Sequence, residues 1–114
     1  MAYKKERLEK TIEKEISRII VNEIKDDRLK FVTITKAYLN DDLSIATVYY
    51  SVLGNPNQIE NTKELLQEAK GFIKTLLSKR LEIRKTPELR FKYDESFEYG
   101  NRIENILKEI EKNN

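Results

Sequence analysis

No cysteine and no histidine occur among these 114 residues. Without thiols there is no disulfide scaffold and no cysteine nucleophile, and without either side chain the common zinc sites are excluded. Histidine bases and histidine pH switches go with them. Three glycines are present, and they form neither a phosphate-cradling P-loop nor a dinucleotide-binding turn. Five serines have no histidine to activate them. No apolar run approaches the roughly 18 residues of a membrane span. The opening MAYKKERLEK lacks the apolar centre of a signal peptide. The expectation is a soluble, cytoplasmic, monomeric protein that is not an enzyme and uses no cofactor, metal or small-molecule substrate.

What the chain has in abundance is charge. Charged residues make up 37% and apolar residues 39%, against a usual charged share of about 25%. That balance suits one small domain spanning 1–114, with a single modest core. The charge is unevenly placed. Residues 1–30 sum to +2, 31–69 to −3, 70–92 to +6 and 93–114 to −3. The basic stretch holds Lys70, Lys74, Lys79, Arg80, Arg84, Lys85, Arg90 and Lys92, threaded through Phe72, Ile73, Leu76, Leu77, Leu81, Ile83, Leu89 and Phe91. Cations on a folded frame form an electrostatic footprint for a polyanion, of which nucleic acid is the commonest. A merely solvated charged face is the competing reading.

Helical spacing of Leu8, Ile12, Ile16, Ile19, Ile20 and Ile24 predicts an amphipathic helix over 4–25. Phe31 to Leu39 and Leu43 to Leu53 are rich in β-branched and aromatic residues and read as an antiparallel hairpin turning at Asn40-Asp41-Asp42. In these strands Phe31, Tyr38, Tyr49, Tyr50, Phe91 and Tyr93 are expected to be explained by core packing. Tyr49 and Tyr50 point to opposite faces, so one of them is expected to be less buried, with base stacking as the competing reading of that ring. Gly54-Asn55-Pro56-Asn57 opens a helical stretch carried by Ile59, Leu65, Leu66, Ala69, Phe72, Ile73, Leu76, Leu77 and Leu81. Gly71 interrupts that stretch at a cost of about 1 kcal/mol. The expectation is two helices, or one sharply bent helix, meeting at Ala69-Lys70-Gly71. Thr86-Pro87 ends the helix, and Leu89 to Tyr93 alternates as a third strand. Asp94 can cap a last helix striped by Tyr99, Ile103, Ile106, Leu107 and Ile110.

The resulting order is α-β-β-α-(bend)-α-β with a C-terminal helical extension over 95–112. The crossover between strands two and three makes them parallel. The fold class is therefore α+β, a three-stranded mixed sheet covered by helices on one face. This order resembles a type II KH domain. The usual KH signature is a GXXG loop that clamps about four nucleotides, and here Ala69-Lys70-Gly71 stands in its place.

Longer stretches narrow the resemblance. Glu23-Ile24-Lys25-Asp26-Asp27-Arg28-Leu29 with Phe31-Val32-Thr33, Ala46-Thr47-Val48-Tyr49, Lys85-Thr86-Pro87-Glu88-Leu89-Arg90-Phe91, Tyr93-Asp94-Glu95-Ser96 and Gly100-Asn101-Arg102-Ile103 stand in order. Together they resemble the ribosome-binding factor A family of KH-like assembly factors. Asp27 departs from a proline common there. The resemblance implies binding to the free 30S subunit or its precursor through 16S rRNA. It also implies support of late 30S maturation and 16S 5′-end processing, with most importance in the cold. A general single-stranded RNA-binding module and a protein-interaction module are the alternatives.

The candidate RNA contacts are Lys70, Gly71, Lys74, Lys79, Arg80, Arg84, Lys85, Arg90 and Lys92, extended by Lys4, Lys5 and Arg7. Lys70 and Lys74 are four residues apart and are expected to face away from Phe72, Leu76 and Leu77. A helix starting near Gly71 would add free amides for phosphate. Helical spacing places Arg80 within the apolar arc, so an ion pair inside the fold competes with an RNA contact. Arg90 and Lys92 would line the open face of an edge strand, where charge also blocks unwanted pairing. Asp26-Asp27 and Asp41-Asp42 read as turn residues and not as metal ligands.

Overall fold

The isoleucine stripe of the N-terminal segment folds as expected. In the computed structural model, which describes residues 2–29 and 31–95, helix α1 spans Ala2–Asn22. Ile12, Ile16, Ile19 and Ile20 are buried along one side of it, with Leu8 and Ile24 packed at the margin. The N–H groups of Glu23 and Ile24 both donate to the carbonyl of Ile19, at 2.8 and 3.2 Å, and close its last turn. Asp26 then accepts the Arg28 N–H at 2.9 Å and holds the short 3-10 turn Asp27–Leu29. Its carboxyl is held below the usual range, first by the Arg28 side chain and then by that N–H.

Strands β1 (Val32–Leu39) and β2 (Ile45–Val52) form the hairpin. Asn40 Oδ1 accepts the Ile45 N–H at 2.9 Å, and Asp42 accepts from the N–H and hydroxyl of Ser44. Both acidic pairs thus supply turn residues. Leu43 takes a φ of 61°, a left-handed conformation costing a branched side chain roughly 1–2 kcal/mol. Helix α2 runs from Pro56 to Arg80. Asn55 accepts the Gln58 N–H at 2.9 Å and Gln58 accepts the Asn55 N–H at 2.7 Å. This reciprocal cap, with proline in the first turn, fixes the helix start. Strand β3 (Glu88–Tyr93) completes the sheet.

Strand order is β1-β2-β3. β1 and β2 are antiparallel, and β2 and β3 are parallel with Thr47 opposite Arg90 and Tyr49 opposite Lys92. The α+β architecture is the one expected. Ala46, Val48, Tyr50, Leu89 and Phe91 point from the sheet toward Leu66, Ile73 and Leu77 of α2 and the isoleucines of α1. Each fully buried aliphatic side chain is worth about 1.5–3 kcal/mol in transfer free energy.

Three expectations need correction. Helix α2 is continuous, so the two-helix reading fails: Ala69-Lys70-Gly71 lies inside one 25-residue helix. One mid-helix glycine is outweighed by the packing of Leu65, Leu66, Ile73 and Leu77 on either side. Phe72 is not in the core but 52% exposed. It sits on the rim of an arc that Thr62, Leu65, Leu66, Ile73 and Leu77 already fill. Phe31 and Tyr38 are also half-exposed, at 48% and 50%.

Tyr38 has a clear cause. The β1–β2 register shifts between Ile34 and Lys36, so Thr35 is an extra residue in β1. A bulge reverses the alternation of faces beyond it. Ile34 points inward before the bulge, and Ala37 and Leu39 point inward after it. Lys36 and Tyr38 therefore face outward. The Thr35 hydroxyl donates to buried Asp94 at 2.7 Å. Beyond Glu95, the C-terminal helix expected over 95–112 lies outside the described residues.

Candidate nucleic-acid interface

The basic residues between 70 and 92 separate into distinct environments. Projected at about 100° per residue, Lys63, Lys70 and Lys74 share one flank of α2 within a narrow arc. Lys74 is exposed and Lys70 half-buried. Lys63, also exposed, precedes the basic run in sequence and joins this flank through the helical spacing of α2. Lys79 is exposed in the last turn of α2, where a cation also complements the helix dipole. Arg84 and Lys85 are exposed in the connection to β3.

Gly71 is exposed, and a Cβ built there would meet no atom within 4 Å. No packing demand explains the missing side chain. No helix starts at this position, so free amides make no contribution there. The exposed backbone of Gly71 is instead a place where α2 admits close approach.

Arg80 is occupied within the fold. Its guanidinium reaches Glu15 of α1 at 3.1 Å and Glu23 at 3.2 Å. Glu15 is also bound by Arg18 at 2.9 Å. The helix continues through Arg80, so the residue emerges from the apolar arc directly against α1. A partly exposed network of this kind contributes about 1 kcal/mol or less per pair.

Arg90 and Lys92 lie exposed on β3, alternating with buried Leu89 and Phe91. Glu88 is 4.0 Å from Arg90, too far for a strong hydrogen bond. The register sets Arg90 beside Thr47 and Lys92 beside Tyr49. It sets Tyr38 beside Thr47 and Lys36 beside Tyr49 from the opposite edge. Lys36 thus joins the same outer face, and the bulge at Thr35 is what concealed it in the sequence. Tyr38 and Tyr49 contact edge to face, with centroids 5.9 Å apart and planes at 82°.

At the N-terminus, Lys4 and Arg7 are exposed on α1, and Lys5 lies 3.5 Å from Asp41 at the hairpin tip. That contact places the start of α1 beside the hairpin. Among the described residues no group of three or more potential ligands could hold a metal ion. None of the described helices is long and apolar enough to cross a membrane.

Comparison with known proteins matches residues 4–107 to the family model of ribosome-binding factor A. A ribosome-binding factor A from Staphylococcus epidermidis is 48% identical over 108 residues, covering 95% of this chain and 93% of its own. The crystal structure of ribosome-binding factor A from Thermus thermophilus superposes with a TM-score of 0.71 at 25% identity. That alignment covers 78% of this chain and 93% of the other. A homology model of the Thermus thermophilus factor, fitted into a cryo-electron microscopy map of its 30S complex, gives a TM-score of 0.65 at 24% identity. It covers 75% of this chain and 90% of the other.

Proposed function

The chain belongs to the ribosome-binding factor A family, and from that premise we propose a non-enzymatic assembly factor that binds the free 30S subunit or its precursor through 16S rRNA. In this reading it acts as a cytoplasmic monomer, supports late 30S maturation and 16S 5′-end processing, and matters most at low temperature.

The observation that carries the reading is the exposure of the basic residues along α2 and β3. Lys74, Lys79, Arg84, Lys85, Arg90 and Lys92 are all exposed. Within 70–92 the stretch carries eight Lys/Arg and two acids. We assign the phosphate contacts to these residues and to Lys70, with Lys4, Lys5 and Arg7 as an extension. Arg80 is assigned instead to holding α1 against α2. The missing Cβ at Gly71 supports close approach of a sugar–phosphate backbone to α2.

Sedimentation with free small subunits, large subunits and intact ribosomes tests the reading. Co-migration with free small subunits alone is expected, and no co-migration at low salt would refute it. Binding should weaken steeply as salt rises, with a logarithmic slope near −0.7 per contacted phosphate on single strands. A flat salt response would favour a protein partner. Lys74→Glu should weaken 30S binding several-fold and leave the unfolding midpoint within about 2 °C, because an exposed surface substitution changes stability by at most about 0.5 kcal/mol.

A further inference from the structure

The outer face of the sheet carries more than charge. Its two central cross-strand rows read Lys36–Tyr49–Lys92 and Tyr38–Thr47–Arg90. Lys36, Arg90, Lys92 and Tyr38 are exposed, and no acid lies in either row. Among the described residues, the acids of this face are at its ends, with Glu88 beside Ile45 and Asp94 just beyond Tyr93. Asp94 is buried and accepts the Thr35 hydroxyl.

We propose that this face is a stacking platform for unpaired RNA, in which Tyr38 takes one nucleobase and Lys36, Arg90 and Lys92 hold the adjoining phosphates. The inference rests on the nucleic-acid reading above and adds residues of β1 and β2 to it. A double helix offers phosphates to such a face but no free base for the ring. An unstacked base uses both. The edge-to-face contact with Tyr49 orients the Tyr38 ring before any ligand arrives, which lowers the ordering cost of binding.

The path also has a boundary. At the β1 edge, Lys36 and Tyr38 border a groove lined by Glu6, Glu9, Lys10 and Glu13 of α1. Glu6, Glu9 and Glu13 outnumber Lys10 and Lys36 in that lining, and Glu9 also accepts the Leu39 N–H at 2.8 Å, so phosphate is less favoured beyond Tyr38 than along the Lys36–Tyr49–Lys92 row. Base–aromatic stacking is sequence-tolerant, and loss of one such contact weakens binding roughly 5- to 150-fold.

The test uses the full chain and two fluorescein-labelled RNAs, a single-stranded A10 and a ten-base-pair duplex, followed by anisotropy at low salt. Tyr38→Leu should lose roughly 5- to 150-fold on A10 and less than about twofold on the duplex, which offers phosphates alone. Tyr38→Phe should retain binding to both. A second readout needs no variant: the ring resonances of Tyr38 in the unaltered protein should move upfield as A10 is added. Absence of A10 binding, or equal loss on both RNAs, or stationary Tyr38 resonances with bound A10, would overturn the proposal. Co-sedimentation of the unaltered protein with free 30S subunits separates the two readings. If it persists while the A10 results fail, the stacking platform alone falls. If it fails, the assembly-factor reading falls, and the A10 results still decide the platform.

Discussion

The two faces of this sheet are made by the same three strands and answer to different demands. The inner face presents Ile34, Ala37, Leu39, Ala46, Val48, Tyr50, Leu89 and Phe91, all buried. The outer face presents Lys36, Tyr38, Thr47, Tyr49, Arg90 and Lys92, which are exposed or half-buried. The inner residues are chosen by packing against two helices. Lys36, Tyr38, Arg90 and Lys92 are exposed among the described residues, so burial does not set their content, which reflects edge protection or a ligand. Structure explains the first face, and binding must be asked about the second.

The largest test of that contrast sets a core position against an outer one. Leu66→Ala removes a side chain with no exposure and should cost about 2–5 kcal/mol. Chemical denaturation would show this as a lower midpoint at nearly constant slope. Lys36→Ala should stay within about 0.5 kcal/mol in the same experiment. An equal cost for both would erase the distinction between the faces.

A smaller effect of opposite sign is expected on α2. Gly71→Ala should stabilise by roughly 0.5–1 kcal/mol, since Ala is the better helix former and nothing obstructs its Cβ. If Gly71 serves close approach of RNA, the same variant should bind 30S subunits more weakly while melting at higher temperature. Unchanged binding would make Gly71 a simple weakness of the helix.

The smallest effect distinguishes the faces by pH. Burial, and secondarily Glu60, pushes the Tyr50 hydroxyl above the ordinary tyrosine range near 10. The neutral form is thus favoured in the folded protein. Its contribution is fully present below the unfolded value and is lost as pH rises through the folded one. Stability should therefore begin to fall above about pH 10, and Tyr50→Phe should flatten part of that alkaline limb in an otherwise weaker protein. An unchanged limb would place the loss elsewhere.

Much of the fold was legible because local signals agreed. Asn55, Pro56 and Gln58 mark the start of α2, isoleucines at three- and four-residue steps mark α1, and Leu89–Tyr93 alternates cleanly. The outer face was less legible. The extra residue at Thr35 leaves no mark in composition, and strict alternation from Ile34 assigns Lys36 and Tyr38 to the wrong side. Phe72 fits the helical period, yet the arc beside it is already full. Gly71 reads as a break, although packing on both sides carries the helix through it. For Arg80, spacing indicates the apolar arc, but only the approach of α1 identifies Glu15 and Glu23 as partners.

The sheet's connectivity has a consequence for how the molecule comes together. β1 and β2 are joined by a five-residue turn, whereas β3 reaches β2 only after the 35 residues between Val52 and Glu88. Closing the longer loop carries the larger entropic cost, so the hairpin and α2 are expected to form first and β3 to dock later. Arg90 and Lys92 come into line with Thr47 and Tyr49 only at that last step. A chain caught halfway would hold its cations on an unanchored segment, without the spacing that the register imposes. Under the proposed reading, affinity for RNA would then ripen with the final strand, making completion of the proposed binding face a late event in the protein's own maturation.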